Sequence, residues 1–196
     1  MDRKGGAYKV DEGGGAFYGP KIDIKIKDAV GRVWQCSTVQ CDFNLPERFG
    51  LEYVAADQAR ERPIMIHRAI FGSVERFFGI LVENYAGDFP LWFAPEQLRL
   101  LAVNDDVLPY CREIVERMKK EGIRATVDAQ AASLGKKIRN AELQKVPLTA
   151  VVGAKEAEDR SLAIRQRKVG DLGSFSVDDV VSRLHAAVKD NTAFNA

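Results

Sequence analysis

Polar side chains interrupt a segment that is otherwise typical of a β-strand. Gln35, Thr38 and Gln40 lie within the apolar and aromatic run between Val33 and Phe43. A buried amide without a partner costs about 1–3 kcal/mol, so a strand packed inside a core avoids such residues. The segment therefore has two interpretations, a solvent-exposed strand face or a sheet floor that hydrogen-bonds a small polar ligand.

A second group of polar residues follows at the start of a helical pattern. His67 precedes Gly72 and Ser73, and Glu75 and Arg76 follow after one intervening residue. A glycine, a hydroxyl and a cation on one helical turn can hold a nucleotide ring or a phosphate. The alternative is a surface arginine beside a neighbouring glutamate.

Other kinds of catalytic site are poorly supported by the residues present. The chain has only two histidines, His67 and His185, and no Cys-x-x-Cys pair. The glycine triplet at residues 13–15 lacks the Lys-Ser/Thr that completes a phosphate-binding loop. A catalytic triad and a Cys-x-x-Cys metal site are therefore not expected.

Length and charge narrow the class of protein further. The chain has 196 residues, 29 Lys+Arg and 28 Asp+Glu, so that a polybasic arm is excluded while a local basic patch remains possible. No apolar run approaches the ~20 residues of a membrane span, and Met1 is followed by charge and glycine rather than by a signal sequence. The odd number of cysteines argues against a disulfide framework. We therefore expect a cytoplasmic protein without a membrane partner.

The first half of the chain predicts two strands and a helix. Residues 22–27 alternate between apolar and polar, and residues 33–43 are rich in β-branched and aromatic side chains, so an antiparallel pair is expected. Residues 44–63 are expected to connect this pair to a helix over residues 66–85, where apolar residues recur every three or four positions.

Proline and glycine between residues 86 and 96 indicate a boundary, and we predict domains at 1–90 and 91–196.

Strands and helices alternate in the second half, with strands expected at 98–103, 123–127, 149–153 and 161–167. Helices are expected at 107–121, 134–145 and 177–189, the last with Ser176 as its N-cap. This alternation predicts a βαβ-based layered domain, and the whole chain an α/β (α+β) protein.

Three segments closely resemble the C-terminal part of the bacterial threonyl-tRNA synthetase family. They read GAFYGPKID (residues 15–23), WQCSTVQCDF (34–43) and HRAIFGSVERF (67–77), and PLWFAP (90–95) and DLG (171–173) extend the match. The resemblance covers about residues 8–188. It favours the ligand-binding sheet floor over the exposed strand face.

The resemblance implies a fold and an activity. The first domain would be the end of a class II catalytic domain, an antiparallel sheet with a helix, and the second an anticodon-binding domain with a mixed sheet and three helices. The family activates threonine with ATP and Mg²⁺, transfers it to tRNA-Thr, and uses a zinc ion to recognise the threonine amino and hydroxyl groups. The full enzyme is expected to be a homodimer.

The resemblance also assigns roles to individual residues. The residues with catalytic roles would be Lys21, Gln40 and Arg76. Those that bind threonine or ATP would be Tyr18, Gln35, Thr38, Ser73 and again Arg76, whose guanidinium would stack on adenine. His67 would be a zinc ligand. Those that bind tRNA would be Glu156 and Arg165, which read anticodon bases, and the basic face of Lys136, Lys137 and Arg139.

Several family features are absent from these 196 residues. A catalytic zinc site needs three protein ligands, and the family's other two, a cysteine and a histidine, have no counterpart here. The first two class II signature motifs are also missing, so we expect an incomplete zinc site and no catalysis by the chain alone. The loop at residues 129–133 lacks the family's arginine, which reduces the expected base-specific contacts.

Three interpretations remain open from the sequence. The chain could be a fragment of a threonine–tRNA ligase, a stand-alone paralogue that binds tRNA or has a regulatory role, or one half of a split synthetase. An incomplete catalytic sheet would leave an edge and an apolar face uncovered. We therefore expect residues 8–90 to associate and to be less stable than residues 95–190.

Overall fold

The computed structural model describes residues 7–194, so the first six and the last two residues of the predicted domains lie outside it. The chain divides into two compact units, Met1–Asn84 (unit 1) and Tyr85–Ala196 (unit 2). This division falls a few residues before the limit predicted at residue 90.

Unit 1 is built on a three-stranded antiparallel sheet. Its strands are β1 (Lys21–Lys27), β2 (Val33–Asp42) and β5 (Met65–Ala69), in the order β1-β2-β5. The predicted pairing of the first two strands is confirmed. The segment between β2 and β5 contains a short helix, α1 (Asn44–Arg48), and a two-stranded hairpin of β3 (Tyr53–Val54) and β4 (Arg60–Glu61).

The predicted helix over residues 66–85 is wrong in its first part. Met65–Ala69 is strand β5, and helix α2 spans Val74–Tyr85. Strand β5 pairs with β2 along its whole length, and this long-range pairing overrides the local helical spacing. Gly72 turns the chain between the two elements with φ +69°, and a Cβ there would lie 2.9 Å from the carbonyl oxygen of Cys36. Only glycine suits that turn.

Unit 2 contains a five-stranded mixed sheet with the order β10-β9-β8-β6-β7. Strands β6, β7 and β8 run parallel, and β8–β9 and β9–β10 are antiparallel pairs. The strands are β6 (Leu98–Ala102), β7 (Ala125–Asp128), β8 (Leu148–Val152), β9 (Ser161–Gln166) and β10 (Gly170–Ser176). The helices are α3 (Leu108–Lys120), α4 (Leu134–Leu143), α5 (Ala154–Glu158) and α6 (Val177–Asp190), and a 3₁₀ turn at Asp105–Val107 precedes α3.

Four strands and three long helices of unit 2 agree with the predicted alternation, but two elements were missed. Strand β10 contains two glycines and an aspartate, residue types that are depleted in strands, and it forms by pairing with β9. Helix α5 has only five residues, too few for a periodic pattern. The predicted cap of α6 is confirmed, because the Ser176 hydroxyl accepts a hydrogen bond from the Asp179 amide at 3.1 Å.

The two units bury apolar side chains to very different extents. The fully buried large side chains of unit 2 form one core between its sheet and helices, and they include Leu98, Leu100, Ile114, Leu148 and Leu184. Within residues 7–84, Cys36, Pro46 and Ile80 are the buried apolar residues. The α/β (α+β) class is confirmed. No helix in the described part of the chain is long and apolar enough to cross a membrane.

Candidate functional site

One face of the unit 1 sheet is polar. Strand register pairs Lys21 with Gln40, Asp23 with Thr38, and Gln40 in turn with His67 on β5. Paired residues of an antiparallel sheet project on the same side. We define the polar face as Lys21, Asp23, Lys25, Gln35, Thr38, Gln40 and His67.

A β-bulge brings Gln35 onto this face. The register shifts between β1 residues Ile24 and Lys25, so that Ile24 pairs with Ser37 but Lys25 pairs with Gln35. In a regular strand, residues three apart project on opposite sides. The extra residue, Cys36, therefore allows Gln35 and Thr38 to lie side by side.

Asp23 connects the polar side chains and was missed by the sequence analysis. Its Oδ1 accepts hydrogen bonds from Gln35 Nε2 and Thr38 Oγ1, both at 2.8 Å, and its Oδ2 lies 2.9 Å from Lys21 Nζ. Gln35 Nε2 also donates to Thr38 Oγ1 at 2.9 Å. The hydrogen bond from Lys21 lowers the pKa of Asp23 below its ordinary value. The alternation of β1, which places Asp23 beside Lys21 on one face, was the signal that could have identified it.

Tyr18 reaches the polar face from the loop before β1. Its hydroxyl donates to Gln40 Oε1 at 3.1 Å. The loop is held against β2 by Gly19, where a Cβ would lie 2.2 Å from the Cys41 carbonyl oxygen. Phe43 N–H donates to the Tyr18 carbonyl at 3.0 Å, which fastens the same segment. The predicted residues Tyr18, Gln35, Thr38 and Gln40 thus lie on one surface.

His67 is held at the end of this surface by a buried carboxylate. Its Nε2 lies 2.9 Å from Asp42 Oδ2. The other oxygen of Asp42 accepts from the amides of Asn44 and Leu45 at the start of α1. The backbone hydrogen bond from Leu45 lowers the pKa of Asp42, and the His67 contact lowers it further. The contact holds the imidazole ring by Nε2, so Nδ1 is the ring nitrogen that can contact another group.

The described residues do not fit a complete zinc site. Zinc requires three or four protein ligands. Within residues 7–194 no group of three His, Cys, Asp or Glu side chains is arranged to hold a metal ion. His67 by itself cannot hold the ion.

Two predicted residues at the start of α2 have other contacts in this structure. The Ser73 hydroxyl caps α2 by accepting from the Arg76 amide at 3.3 Å, and it donates to Glu75 Oε2 at 2.8 Å. The guanidinium of Arg76 lies over the ring of Trp34, 5.5 Å from its centroid. Because Trp34 pairs with Ile26, it projects on the side opposite to the polar face.

In unit 2 the carboxyl ends of the three parallel strands lie at one edge of the sheet. Helix α4 begins beyond the end of β7, and α5 begins directly after β8. Glu156 on α5 is half-buried, and its carboxylate accepts from the Gly153 amide at 2.9 Å. Crevices at this edge are common binding sites in open sheets of parallel strands.

The structure corrects one residue of the predicted basic face on α4. Lys136 and Arg139 are exposed, but Lys137 is buried. Its ammonium donates to the carbonyl oxygens of Ala102 at 2.8 Å and Asp128 at 3.3 Å. Lys137 therefore joins the ends of β6 and β7 and is not placed to contact a phosphate.

Arg165 lies on β9 and pairs with Asp171 on β10 at 2.7 Å. Its Nε is buried, and no partner for it occurs in residues 7–194. The Asp171 side chain is 79% exposed, so one end of this ion pair is open to solvent. An exposed carboxylate of this kind can be exchanged for another acceptor at little cost.

Comparison with known proteins identifies both units. Residues 3–85 match the tRNA synthetase class II core domain (G, H, P, S and T), and residues 97–187 match the anticodon binding domain. A threonine–tRNA ligase of Synechococcus sp. (strain CC9605) is 60% identical over 98% of this chain, which covers 32% of that relative. The chloroplastic/mitochondrial threonine–tRNA ligase 2 of Arabidopsis thaliana is 55% identical, also over 98% of this chain and 30% of its own length.

A solved structure agrees with these matches. The RNA binding domain of threonyl-tRNA synthetase from Cryptosporidium parvum Iowa II superposes with a TM-score of 0.84 at 35% identity, over 94% of this chain and 47% of that one. The chain spans about a third of the length of the curated relatives it matches. It belongs to the threonyl-tRNA synthetase family, in which it corresponds to a class II core segment followed by the anticodon-binding domain.

Proposed function

We propose that this chain supplies part of the adenylate-binding surface and the anticodon-binding unit of a threonine–tRNA ligase. The observation that supports this most is the polar face, which brings Lys21, Gln35, Thr38 and Gln40 onto one surface of the unit matched to the class II core. A pure RNA-binding module has no use for such a surface.

The proposed reaction has two steps. A carboxylate oxygen of threonine attacks the α-phosphorus of Mg²⁺-bound ATP, and pyrophosphate leaves. A hydroxyl of the terminal ribose of tRNA-Thr then attacks the carbonyl carbon, and AMP leaves. Lys21 and Tyr18 line the threonine and adenylate pocket, where the ammonium group stabilises negative charge. Gln40 lies near the reactive carboxylate and the terminal ribose.

The nucleoside part of ATP would occupy the other end of the polar face. Gln35 and Thr38 hold the adenosine and ribose groups, and Ser73 lies near the bound nucleotide. Arg76 stacks on the adenine and reaches the γ-phosphate. In this role its guanidinium leaves the Trp34 ring, which projects on the side opposite to the polar face, and moves to the adenine ring, a contact of the same physical kind.

The tRNA contacts would belong to unit 2. Glu156 and Arg165 read anticodon bases, whereas the exposed Lys136 and Arg139 contact phosphates without selecting a sequence. The chain's net charge of +1 means that such binding depends on a local basic surface. The full-length enzyme would be a homodimer.

Two further expectations remain predictions. Zinc would bind in the full enzyme with His67 as one ligand, and we assign no step to it because residues 7–194 do not complete its site. A cytoplasmic location rests on sequence features alone, and one relative is named as chloroplastic/mitochondrial.

Charge reversal at Arg165 tests anticodon reading. We expect Arg165→Glu to weaken binding to tRNA-Thr about tenfold or more, and to weaken binding to an anticodon-swapped tRNA much less, because a base contact is sequence-dependent. Arg160→Glu is the matched control, since Arg160 is exposed and pairs with Glu113 in the same unit. Filter binding measures the affinities. Equal losses on both tRNAs would make Arg165 a phosphate contact only.

Pyrophosphate exchange tests the division of the catalytic machinery. Threonine-dependent ATP–pyrophosphate exchange by the purified 196-residue chain should stay at background, because the first two class II motifs are absent and both reactants must be positioned for reaction. Robust exchange by the chain alone would contradict an incomplete site.

A further inference from the structure

We propose that Asp23 is a positioning residue that decides which end of the Gln35 side-chain amide faces a ligand. It makes Gln35 present its carbonyl oxygen outward. The site then selects a nucleotide through a hydroxyl or amino group that donates to that oxygen. The selection of a nucleotide rests on the proposed function, and the orientation of Gln35 does not.

Three side chains converge on the Asp23 carboxylate. Gln35 and Thr38 donate to one oxygen at 2.8 Å, and Lys21 lies 2.9 Å from the other. The Asp23 side chain is only 17% exposed, whereas Gln35 is exposed at the rim. The carboxylate is therefore the inner member of the group, and Gln35 is the member that a ligand meets first.

The chemistry of the groups decides which end of the Gln35 amide faces inward. An ionised carboxylate can only accept hydrogen bonds, so the amide must turn its nitrogen toward Asp23. The second proton of that nitrogen is donated to Thr38 Oγ1 at 2.9 Å. Both protons of Nε2 are then used, and Oε1 is the atom left to bind a ligand.

Thr38 completes the arrangement without ambiguity. Its hydroxyl has one proton, which is donated to Asp23, and its oxygen accepts from Gln35. If Asp23 were neutral, the hydroxyl and the amide could both reverse. Asp23 is a carboxylate at neutral pH, and the hydrogen bond from Lys21 lowers its pKa further below the ordinary value.

The result is a surface with two kinds of ligand contact. Lys21 has ammonium protons beyond the one directed at Asp23 and so favours an anionic group, while Gln35 Oε1 favours a donor. A nucleoside phosphate carries an anionic group and donor groups on one molecule. The carbonyl oxygen of Gln35 would therefore discriminate a ribose hydroxyl from a hydrogen at the same position.

Calorimetry measures the affinity of the full chain for Mg²⁺-ATP and for its 2′-deoxy and 3′-deoxy analogues. We expect the unsubstituted chain to prefer one hydroxyl by about threefold to tenfold, the net value of one hydrogen bond to an acceptor that is exposed to water in the free protein. In Asp23→Asn the amide of residue 23 can donate, so the Gln35 amide is free to reverse. The affinities for ATP and for the deoxy analogue should then be about equal.

A double substitution provides the rescue. In Asp23→Asn with Gln35→Glu, the new amide donates to the new carboxylate, whose second oxygen again presents an acceptor outward with the net charge conserved. The hydroxyl preference should return in this variant. A preference that is unchanged in Asp23→Asn, with the fold intact by circular dichroism, would overturn the proposal.

Side-chain amide NMR separates this inference from the proposed function. With Asp23 present, both Gln35 Nε2 protons should be shifted and slowed in solvent exchange, and Asp23→Asn should abolish that protection whether or not a nucleotide binds. If the unsubstituted chain binds no adenine nucleotide but shows this protection, the nucleotide role fails and the positioning role stands. Unprotected Gln35 protons in the unsubstituted chain would overturn the positioning role itself.

Discussion

At the scale of single residues, Asp28 organises the turn between β1 and β2. Its side chain is fully buried, and it accepts from the amides of Val30 and Arg32, from the Arg32 guanidinium and from the Trp34 indole, at 2.6–3.1 Å. Burial opposes ionisation, but the hydrogen bonds from Trp34 and Arg32 outweigh it and lower the pKa to about 2. The turn therefore depends on a charged carboxylate.

Asp28→Ala should lower the melting temperature of unit 1 by roughly 4–8 °C or more, because four donors lose their acceptor. Asp28→Asn keeps an oxygen for the amides and should be less damaging. Since the folded pKa of about 2 lies below the ordinary 3.8, the stabilisation is present above pH 3.8 and is lost as the pH falls toward 2.

Thermal unfolding followed by circular dichroism between pH 2 and pH 6 measures both effects. The difference between the unsubstituted chain and Asp28→Ala should shrink as the pH falls through this window. A difference that does not change with pH would show that the charge of Asp28 is irrelevant.

At the scale of elements, two adjacent lysines on α4 have opposite roles. Lys137 binds carbonyl oxygens at the ends of β6 and β7, whereas Lys136 is exposed. Their sequence positions do not distinguish them, since both lie in one basic run. The rotation of α4 on the sheet decides which of the two is buried.

Lys137→Met should destabilise unit 2 by about 1–3 kcal/mol, because buried carbonyl groups lose their donor. Lys136→Met should leave stability within about 0.5 kcal/mol but weaken tRNA binding and reduce its salt dependence by about one counterion. Urea denaturation and binding measured at several salt concentrations separate the two outcomes. Similar effects of both substitutions on stability would contradict the assigned positions.

At the scale of the whole molecule, the two units differ in how completely they cover apolar groups. Exposed fractions in unit 1 reach 88% for Phe17, 71% for Phe49, 65% for Ile66 and 57% for Phe78, while the large aliphatic side chains at the centre of unit 2 are buried. Burial supplies about 25 cal/mol per Å² of apolar surface, so unit 1 gains much less from folding.

We expect two unfolding transitions in urea, with unit 2 unfolding last. Tryptophan fluorescence can follow them, because Trp34 lies in unit 1 and Trp92 in unit 2. The exposed apolar side chains of unit 1 should also bind a hydrophobic dye, and they should cause the chains to associate as the protein concentration rises. A single cooperative transition with no dye binding would contradict this difference.

The sequence by itself determined the features that depend on local pattern and on whole motifs. The alternation of β1, the β-prone composition of β2, the helices α3, α4 and α6, the cap at Ser176 and the family resemblance could all be read from neighbouring residues. These features need little information from distant parts of the chain. The helix predicted over β5 failed because pairing with β2 outweighed its local spacing.

Only the tertiary structure decided where the individual side chains of the site lie. The bulge at Cys36 placed Gln35 beside Thr38, and register across β1 and β2 made Asp23 their shared acceptor. Burial separated Lys137 from Lys136. Each of these outcomes depends on contacts between residues distant in sequence, and a one-residue change of register reverses the face on which every side chain of a strand projects.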